Sequence, residues 1–198
     1  MNRMHTIIKL LIVLAVMGSL VSCASSPART DVQALRKRSQ PGIAIPLLEM
    51  RIHALINKER AQEGLASLKW DDELAGIARK HSRDMAKRNY FDHVSPDGHD
   101  MMRRYGQNGY TCSVRVANTF YTGAENIALN NLYDSVTTVN GVAYYDWNSL
   151  EKIAETTVQG WMKSPGHRQN ILMPHWGREG IGVVIAPDDK VYITQNFC

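Results

Sequence analysis

The sequence has no apolar run long enough to cross a lipid bilayer, and this absence limits what its N-terminus can be. Arg3 and Lys9 precede an uncharged apolar run of twelve residues, LLIVLAVMGSLV, at positions 10–21. A membrane-spanning helix needs about 20 such residues, so this run is too short to remain as a transmembrane segment. A positive N-terminus followed by a short apolar run is typical of a signal peptide, which we predict at residues 1–22.

Cysteine is scarce, and the first of the three cysteines directly follows this apolar run. The segment LVSC, which ends at Cys23, resembles the lipobox of bacterial lipoproteins, in which the cysteine is acylated and becomes the new N-terminus. We therefore expect Cys23 to carry lipid that anchors the protein on the extracytoplasmic side of a bacterial membrane, since two or more acyl chains hold a protein stably. In a Gram-negative host, Ala24 after the cysteine would permit transport to the outer membrane. An ordinary secretory cleavage near SCASS, with Cys23 unmodified, is the alternative.

The two remaining cysteines, Cys112 and Cys198, are enough for one disulfide. Disulfides form and persist in oxidising compartments outside the cytoplasm, which is where the N-terminal signal directs the chain. We predict that Cys112 and Cys198 pair, with two free thiols as the alternative.

The sequence also lacks a strong charge of either sign. Its formal net charge is +4, and removal of Arg3 and Lys9 with the signal peptide leaves 21 basic and 19 acidic side chains. No basic stripe or nucleic-acid-binding motif is present, so nucleic acid is not an expected partner. A polar segment rich in small residues follows Cys23, and we interpret residues 23–43 as a tether and residues 44–198 as one globular domain.

No regular alternation of strands and helices runs along this domain, which argues against a parallel α/β fold. Apolar residues at helical spacing predict helices that begin near Pro46, after Asp71 and at Leu150. The segments TCSVRVANTFY and IGVVIAPDDKVYITQNF predict a strand and a terminal hairpin, while NNLYDSVTTVNGVAYYDWNS is interpreted as a long inserted connection. These elements indicate an α+β domain with an antiparallel sheet.

Three local motifs carry the residues of chemical interest: FDHVSPDG with His93, ENIA with Glu125 and GWMKSPGHRQNIL with His167. Two neutral imidazoles and one carboxylate are a suitable ligand set for Zn²⁺, with a fourth position left for water or substrate. Glu125 lies 32 positions after His93 and 42 before His167, so only the fold can bring the three together. The alternative is structural: the histidines bond loop backbone, and Glu125 is an ion partner that keeps them ordered.

The other histidines are weaker candidates. His81 falls on the apolar face of the second helix, which favours a hydrogen-bonded structural role, while His99 and His175 lie in polar loops and are expected at the surface. Ser164 and His167 have the residue types of a nucleophile and its base, but no oxyanion-hole motif accompanies them. The Ser164, Pro165 and Gly166 corner is expected to aim His167, with Gly166 permitting a close or left-handed turn.

Taken in order, FDHVSPDG, ENIA, GWMKSPGHRQNIL, GIGV and YITQNFC resemble the bacterial branch of the CAP superfamily of cysteine-rich secretory, venom-antigen and pathogenesis-related proteins. The resemblance extends from about Ile45 to Cys198 and implies a three-layer α-β-α sandwich with a central antiparallel sheet. It further implies a cleft lined by two histidines and two acids, in which His93, Glu125 and His167 match three positions. TGAENIA replaces the usual GENIA, and the second acid falls near Ser164 or Pro165, where no carboxylate is present.

CAP domains bind sterols, lipids or other proteins without sharing one reaction, so the resemblance implies a binding protein. We expect an envelope-anchored module whose cleft takes a small hydrophobic ligand, a cell-wall component or a partner protein. A hydrolase that uses Zn²⁺ in the same cleft is the alternative, and it would need Glu125 as a ligand or as a general base. The missing second acid removes the obvious further proton acceptor and favours the binding protein.

Overall fold

The computed structural model describes Gln40 and residues 42–198. The predicted signal peptide, the lipidation site Cys23 and nearly all of the predicted tether lie outside the described residues. The described helices, in chain order, are α1 Ile45–Gln62, α2 Asp72–Arg88, α3 Met101–Gln107, α4 Leu150–Lys163 and α5 Pro165–Ile171. The strands are β1 Lys69–Trp70, β2 Val114–Val116, β3 Thr119–Tyr121, β4 Ala124–Asn131, β5 Tyr133–Val139, β6 Val142–Trp147, β7 Arg178–Ile185 and β8 Lys190–Phe197.

The central sheet has four strands in the order β1, β7, β8, β4. β7 and β8 form the predicted terminal hairpin, and β4 pairs with β8 in antiparallel register from Ala124 opposite Phe197 to Asn131 opposite Lys190. The two-residue β1 pairs in parallel with β7, so the sheet is antiparallel apart from this short edge. Helices cover both faces of the sheet, and the predicted α+β sandwich is confirmed.

Helix α2 packs against one face of the sheet. Asp71 caps its N-terminus by accepting hydrogen bonds from the backbone N–H groups of Glu73 and Leu74, both at 3.0 Å. The predicted apolar face, including His81, is buried. The helix lies directly on β7, because a Cβ built on Gly182 would be 2.0 Å from the backbone nitrogen of Arg79. Glycine at this strand position therefore sets the separation of helix and sheet.

The opposite face of the sheet is covered by α1, α4 and α5. The inward faces of α1 and α4 follow the predicted helical spacing, and their core side chains are Leu48, Ile52, Ile56, Ile153, Ala154, Val158 and Trp161. Trp161 also donates from Nε1 to the backbone oxygen of Ile127, at 2.9 Å, on the outer edge of β4. In the part of the chain that the structure describes, no helix is long and apolar enough to cross a membrane.

The predicted disulfide between Cys112 and Cys198 is present and closes 86 positions of chain. It attaches the residue after β8 to the segment that precedes β2. The backbone oxygen of Cys198 also accepts hydrogen bonds from the N–H groups of Gly177 and Arg178, both at 2.9 Å. The end of β8 is therefore held by both covalent and hydrogen bonds.

Two segments differ from the sequence prediction. The expected single strand in TCSVRVANTFY is a small hairpin, β2 and β3, whose turn places Ala117 at φ 51°. The segment interpreted as an inserted connection is a second hairpin, β5 and β6. Asn140 and Gly141 form its two-residue turn with φ values of 50° and 77°, the geometry that Asn-Gly favours between antiparallel strands.

Candidate functional site

His93 and Glu125 are in direct contact. His93 lies in the loop between α2 and α3, and Glu125 is the second residue of β4. The His93 Nδ1 to Glu125 Oε1 distance is 2.9 Å. Because a carboxylate can only accept, Nδ1 carries the proton and donates it, which leaves the lone pair of a neutral His93 on Nε2. The Glu125 side chain is 3% exposed and that of His93 is 49% exposed, so a buried acid orients a solvent-facing imidazole.

Arg104 of α3 occupies the other oxygen of Glu125. Its Nη2 donates to Glu125 Oε2 at 2.6 Å, and the two side chains are 9% and 3% exposed. From Nη1 the same guanidinium donates to the backbone oxygens of His93, at 2.9 Å, and His99, at 2.7 Å. One buried cation thus fixes both the carboxylate and the loop that carries His93.

The strand that carries Glu125 begins at a constrained glycine. Gly123 has φ 111°, a conformation that disfavours residues with a side chain, and a Cβ there would be 2.9 Å from Tyr105 Cε2 and 3.0 Å from the Phe197 backbone oxygen. Gly123 in TGAENIA is therefore required by the path of the chain into β4. It stands one position earlier than the glycine of the GENIA motif.

His167 is the third residue of α5, and asparagines attach its helix to β4. Asn126 Nδ2 donates to the backbone oxygen of His167, at 3.2 Å, and Asn170 Nδ2 donates to the backbone oxygen of Glu125, at 3.2 Å. Burial lowers the pKa of His167 below its ordinary value, and the nearby His93 lowers this pKa further. His167 therefore remains a neutral imidazole at a lower pH than a free histidine does.

This site has fewer metal-binding side chains than a closed metal site needs. Among the residues that the structure describes, no three His, Cys, Asp or Glu side chains are grouped to hold a metal ion. Glu125 is already bonded through both oxygens, whereas the Nε2 lone pair of His93 is unengaged in the described contacts. The arrangement resembles a carboxylate-supported imidazole, in which the acid orients the ligand and does not bind the metal itself.

The remaining sequence candidates have other surroundings. His81 is buried, its Nε2 donates to the Asp92 backbone oxygen at 3.1 Å, and burial lowers its pKa. His81 Nε2 is 3.9 Å from Glu125 Oε1, beyond hydrogen-bonding distance. The ring of His175 packs against Tyr121, with the ring centroids 5.0 Å apart. The structural role predicted for His81 agrees with these contacts.

The Ser164 to Gly166 corner differs from its prediction at Gly166. Ser164 is the N-cap residue of α5 and Pro165 begins the helix, and no side-chain hydrogen bond from Ser164 caps it. Gly166 is an ordinary helical residue, absent from the positive-φ positions, and a Cβ there would meet nothing within 4 Å. The helix itself therefore aims His167, with Pro165 starting that helix, and no left-handed turn is involved.

Sequence reasoning missed three residues of this site: Arg104, Asn126 and Asn170. The asparagines were within the quoted motifs, Asn126 directly after Glu125 in ENIA and Asn170 three residues after His167 in HRQNIL. Arg104 lies in a segment with several arginines and had no local signal, because its partners are 5, 11 and 21 residues away and two of them are backbone oxygens.

The chain is similar to bacterial proteins of known sequence. YkwD of Bacillus subtilis (strain 168) is 33% identical over 157 residues, which are 78% of this chain and 48% of YkwD. The membrane protein YlbC of the same strain is 34% identical over 149 residues, which are 75% of this chain and 34% of YlbC. The chain thus spans about half or less of the length of these relatives.

Solved structures and a family profile agree with this similarity. The crystal structure of an extracellular protein containing a SCP domain from Bacillus anthracis str. Ames has a TM-score of 0.55 and 28% identity, covering 77% of this chain and 40% of that one. Residues 53–197 match the profile of the cysteine-rich secretory protein family, CAP. The profile covers most of the chain and all three motifs, and the chain therefore belongs to the cysteine-rich secretory protein family.

Proposed function

We propose that this protein is an envelope-anchored binding module, in which His93 and His167 contact a small ligand, a lipid, a cell-wall component or a partner protein. The observation that carries the proposal is the complete engagement of the Glu125 carboxylate by His93 and Arg104. A carboxylate that is buried and hydrogen-bonded in this way orients an imidazole. The groups available to a ligand are then the imidazoles of the two histidines.

The same observation weighs against the metal-dependent hydrolase. That reaction needs Glu125 either as a third zinc ligand or as the base that accepts a proton from water. Either role would require Glu125 to release Arg104 or His93, and release of Arg104 would leave a buried guanidinium without its counter-ion. We therefore favour binding over hydrolysis.

Zinc fits this site as an open, two-imidazole centre. His93 through Nε2 and His167 would hold the ion, Glu125 would orient His93, and the other coordination positions would belong to water or to the ligand. Bound Zn²⁺ would supply a Lewis acid that attracts an anionic or carbonyl oxygen of the ligand. Without zinc, the two histidines would contact the ligand directly, as hydrogen-bonding partners.

The zinc assignment predicts the behaviour of histidine variants. His93→Ala and His167→Ala should each weaken Zn²⁺ binding about tenfold or more in calorimetry of the full chain in detergent, whereas His175→Ala should not. Affinity should fall as pH drops below about 6.5, because imidazoles coordinate only when neutral, and the lowered pKa of His167 delays the loss for that ligand. Equal zinc affinity in all four proteins would refute the metal centre.

The anchoring part of the proposal rests on LVSC and on the relatives, of which YlbC is described as a membrane protein and the Bacillus anthracis protein as extracellular. We expect the mature chain to begin at an acylated Cys23. Mass spectrometry of the N-terminal peptide from envelope-extracted protein should give the mass of a lipid-modified cysteine, and Cys23→Ser should release the protein from the membrane fraction. An unmodified cysteine, or cleavage at another residue, would contradict the anchor.

A further inference from the structure

The hairpin formed by β5 and β6 carries a cluster of aromatic rings outside the central sheet. Tyr133, Tyr145 and Trp147 lie on one face of it, with Tyr145 stacked on Trp147 at a centroid separation of 4.8 Å and Tyr133 edge-on to Tyr145 at 5.2 Å. Tyr145 is 40% exposed, and Val136 on the same face is 42% exposed. A two-stranded hairpin is marginally stable alone, so these rings help to hold it, with Tyr145 exposed and with Tyr133 and Trp147 partly buried.

A groove of about 240 Å³ lies at the base of this hairpin, between the end of β4 and the first turns of α4. It is smaller than the pockets of roughly 300–1,000 Å³ that enclose drug-sized ligands. Tyr133 belongs both to the groove and to the aromatic cluster, so the two are continuous. The groove therefore has room for a group about the size of one sugar ring, with aromatic side chains beside it.

Several polar side chains of the groove are available to a ligand. Asn131, Asp134 and Lys152 are exposed, and within the described part of the chain their side chains make no hydrogen bond or ion pair. An amide, a carboxylate and an ammonium group together can both donate to and accept from a polyhydroxylated ligand. The apolar side chain of Leu129, 39% exposed, lies in the same groove.

This groove is separate from the His93, Glu125 and His167 site. Both touch β4, but Glu125 is at its start, whereas Leu129 and Asn130 are near its end. Five residues of extended strand separate Glu125 from Asn130, which corresponds to roughly 17 Å. None of the three site residues lines the groove.

We infer that the groove binds an N-acetylated sugar of an envelope glycan. The hydroxyl groups of such a sugar match Asp134 and Lys152, its acetamido N–H and C=O match the asparagine amides, and the acetyl methyl matches Leu129. The apolar face of a sugar ring packs on aromatic rings such as Tyr133, which present a flat surface at low entropic cost. This second site would position the anchored domain on a glycan independently of what the histidine site binds.

The test uses the full chain in detergent, with tetra-N-acetylchitotetraose as the probe and maltotetraose as a sugar of equal ring number without acetamido groups. Calorimetry should detect binding of the first sugar and at least fivefold weaker binding of the second. Asp134→Asn and Lys152→Gln should each weaken chitotetraose binding about tenfold, because each removes a charge-assisted hydrogen bond. Asp146→Asn, on the other face of the same hairpin, should bind as wild type does.

The outcomes separate the groove from the histidine site. His93→Ala should leave chitotetraose binding unchanged, and loss of zinc binding in that variant has no bearing on the sugar. Since the Asp134 and Lys152 side chains have no partners among the described residues, circular dichroism should find both variants folded. Absence of chitotetraose binding, equal binding of both sugars, or unchanged affinity in Asp134→Asn and Lys152→Gln would each overturn the inference.

Discussion

Replacement of Glu125 with alanine is expected to destabilise the protein by about 3–5 kcal/mol, the usual cost of breaking a buried ion pair from one side. Arg104 would keep its charge with its side chain only 9% exposed, and its partner oxygen at 2.6 Å would be gone. His93 would lose the acceptor for its Nδ1 proton as well. Urea unfolding of the full chain, followed by circular dichroism, measures the change.

Glu63→Ala is the matched control for this variant. Glu63 also pairs with an arginine, Arg168, at 2.8 Å, but both side chains are about half exposed. Water then solvates whichever charge is left, so the expected loss is at most about 1 kcal/mol. Similar small losses in Glu125→Ala and Glu63→Ala would mean that Glu125 and Arg104 do not hold the site together. The double variant Glu125→Gln with Arg104→Met should remove the cost of the unpaired charge, while the backbone oxygens of His93 and His99 lose their donor.

Gly182→Ala is expected to cost about 3 kcal/mol or more, or to prevent folding, because β7 has no space for a methyl group at this position. The new Cβ would lie 2.0 Å from the Arg79 nitrogen and 2.3 Å from the Ala78 carbonyl carbon, both of them backbone atoms of α2. Neither can move without displacing the helix from the sheet, and overpacking that shifts backbone costs about 1–3 kcal/mol and in some cases more. The same unfolding experiment measures this loss.

Gly160→Ala is the control, since Gly160 lies within α4 and a Cβ there would meet no atom within 4 Å. Alanine restricts the unfolded chain and favours helix, so this variant should be more stable than wild type by about 0.5–1 kcal/mol. Opposite signs for the two glycines would show that close contact, and not glycine content, sets the separation of α2 and β7. A Gly182→Ala protein as stable as wild type would contradict that conclusion.

The candidate site was only partly visible in the sequence. His93, Glu125 and His167 were identified from short motifs, but the motifs do not reveal that Glu125 faces inward while His93 faces solvent. Nor do they reveal Arg104, which joins a loop to a strand through three hydrogen bonds to His93, His99 and Glu125. The absence of an acid near Ser164 predicted a site without its fourth member. The structure adds that the acid still present is committed to a guanidinium.

The sequence prediction was also wrong for one hairpin, β5 and β6. The segment with β5 and β6 was interpreted as an inserted connection because it is long and largely polar and aromatic. Asn140 and Gly141 were a turn signal within it, since both adopt the positive φ values of a tight hairpin turn. The groove beside this hairpin combines residues of β4, β5 and α4, and only packing brings them together.

The sequence by itself determined the helices, the terminal hairpin and the class of the fold, because these depend on side-chain spacing and on bonds between near neighbours. Asp71 caps α2 with groups two and three residues away, and the buried face of that helix repeats at helical spacing. The tertiary structure alone decided which groups meet across 21 to 45 positions of chain. Those contacts depend on how closely α2 approaches β7 and where α3 and α5 lie against β4, and no local spacing specifies such distances.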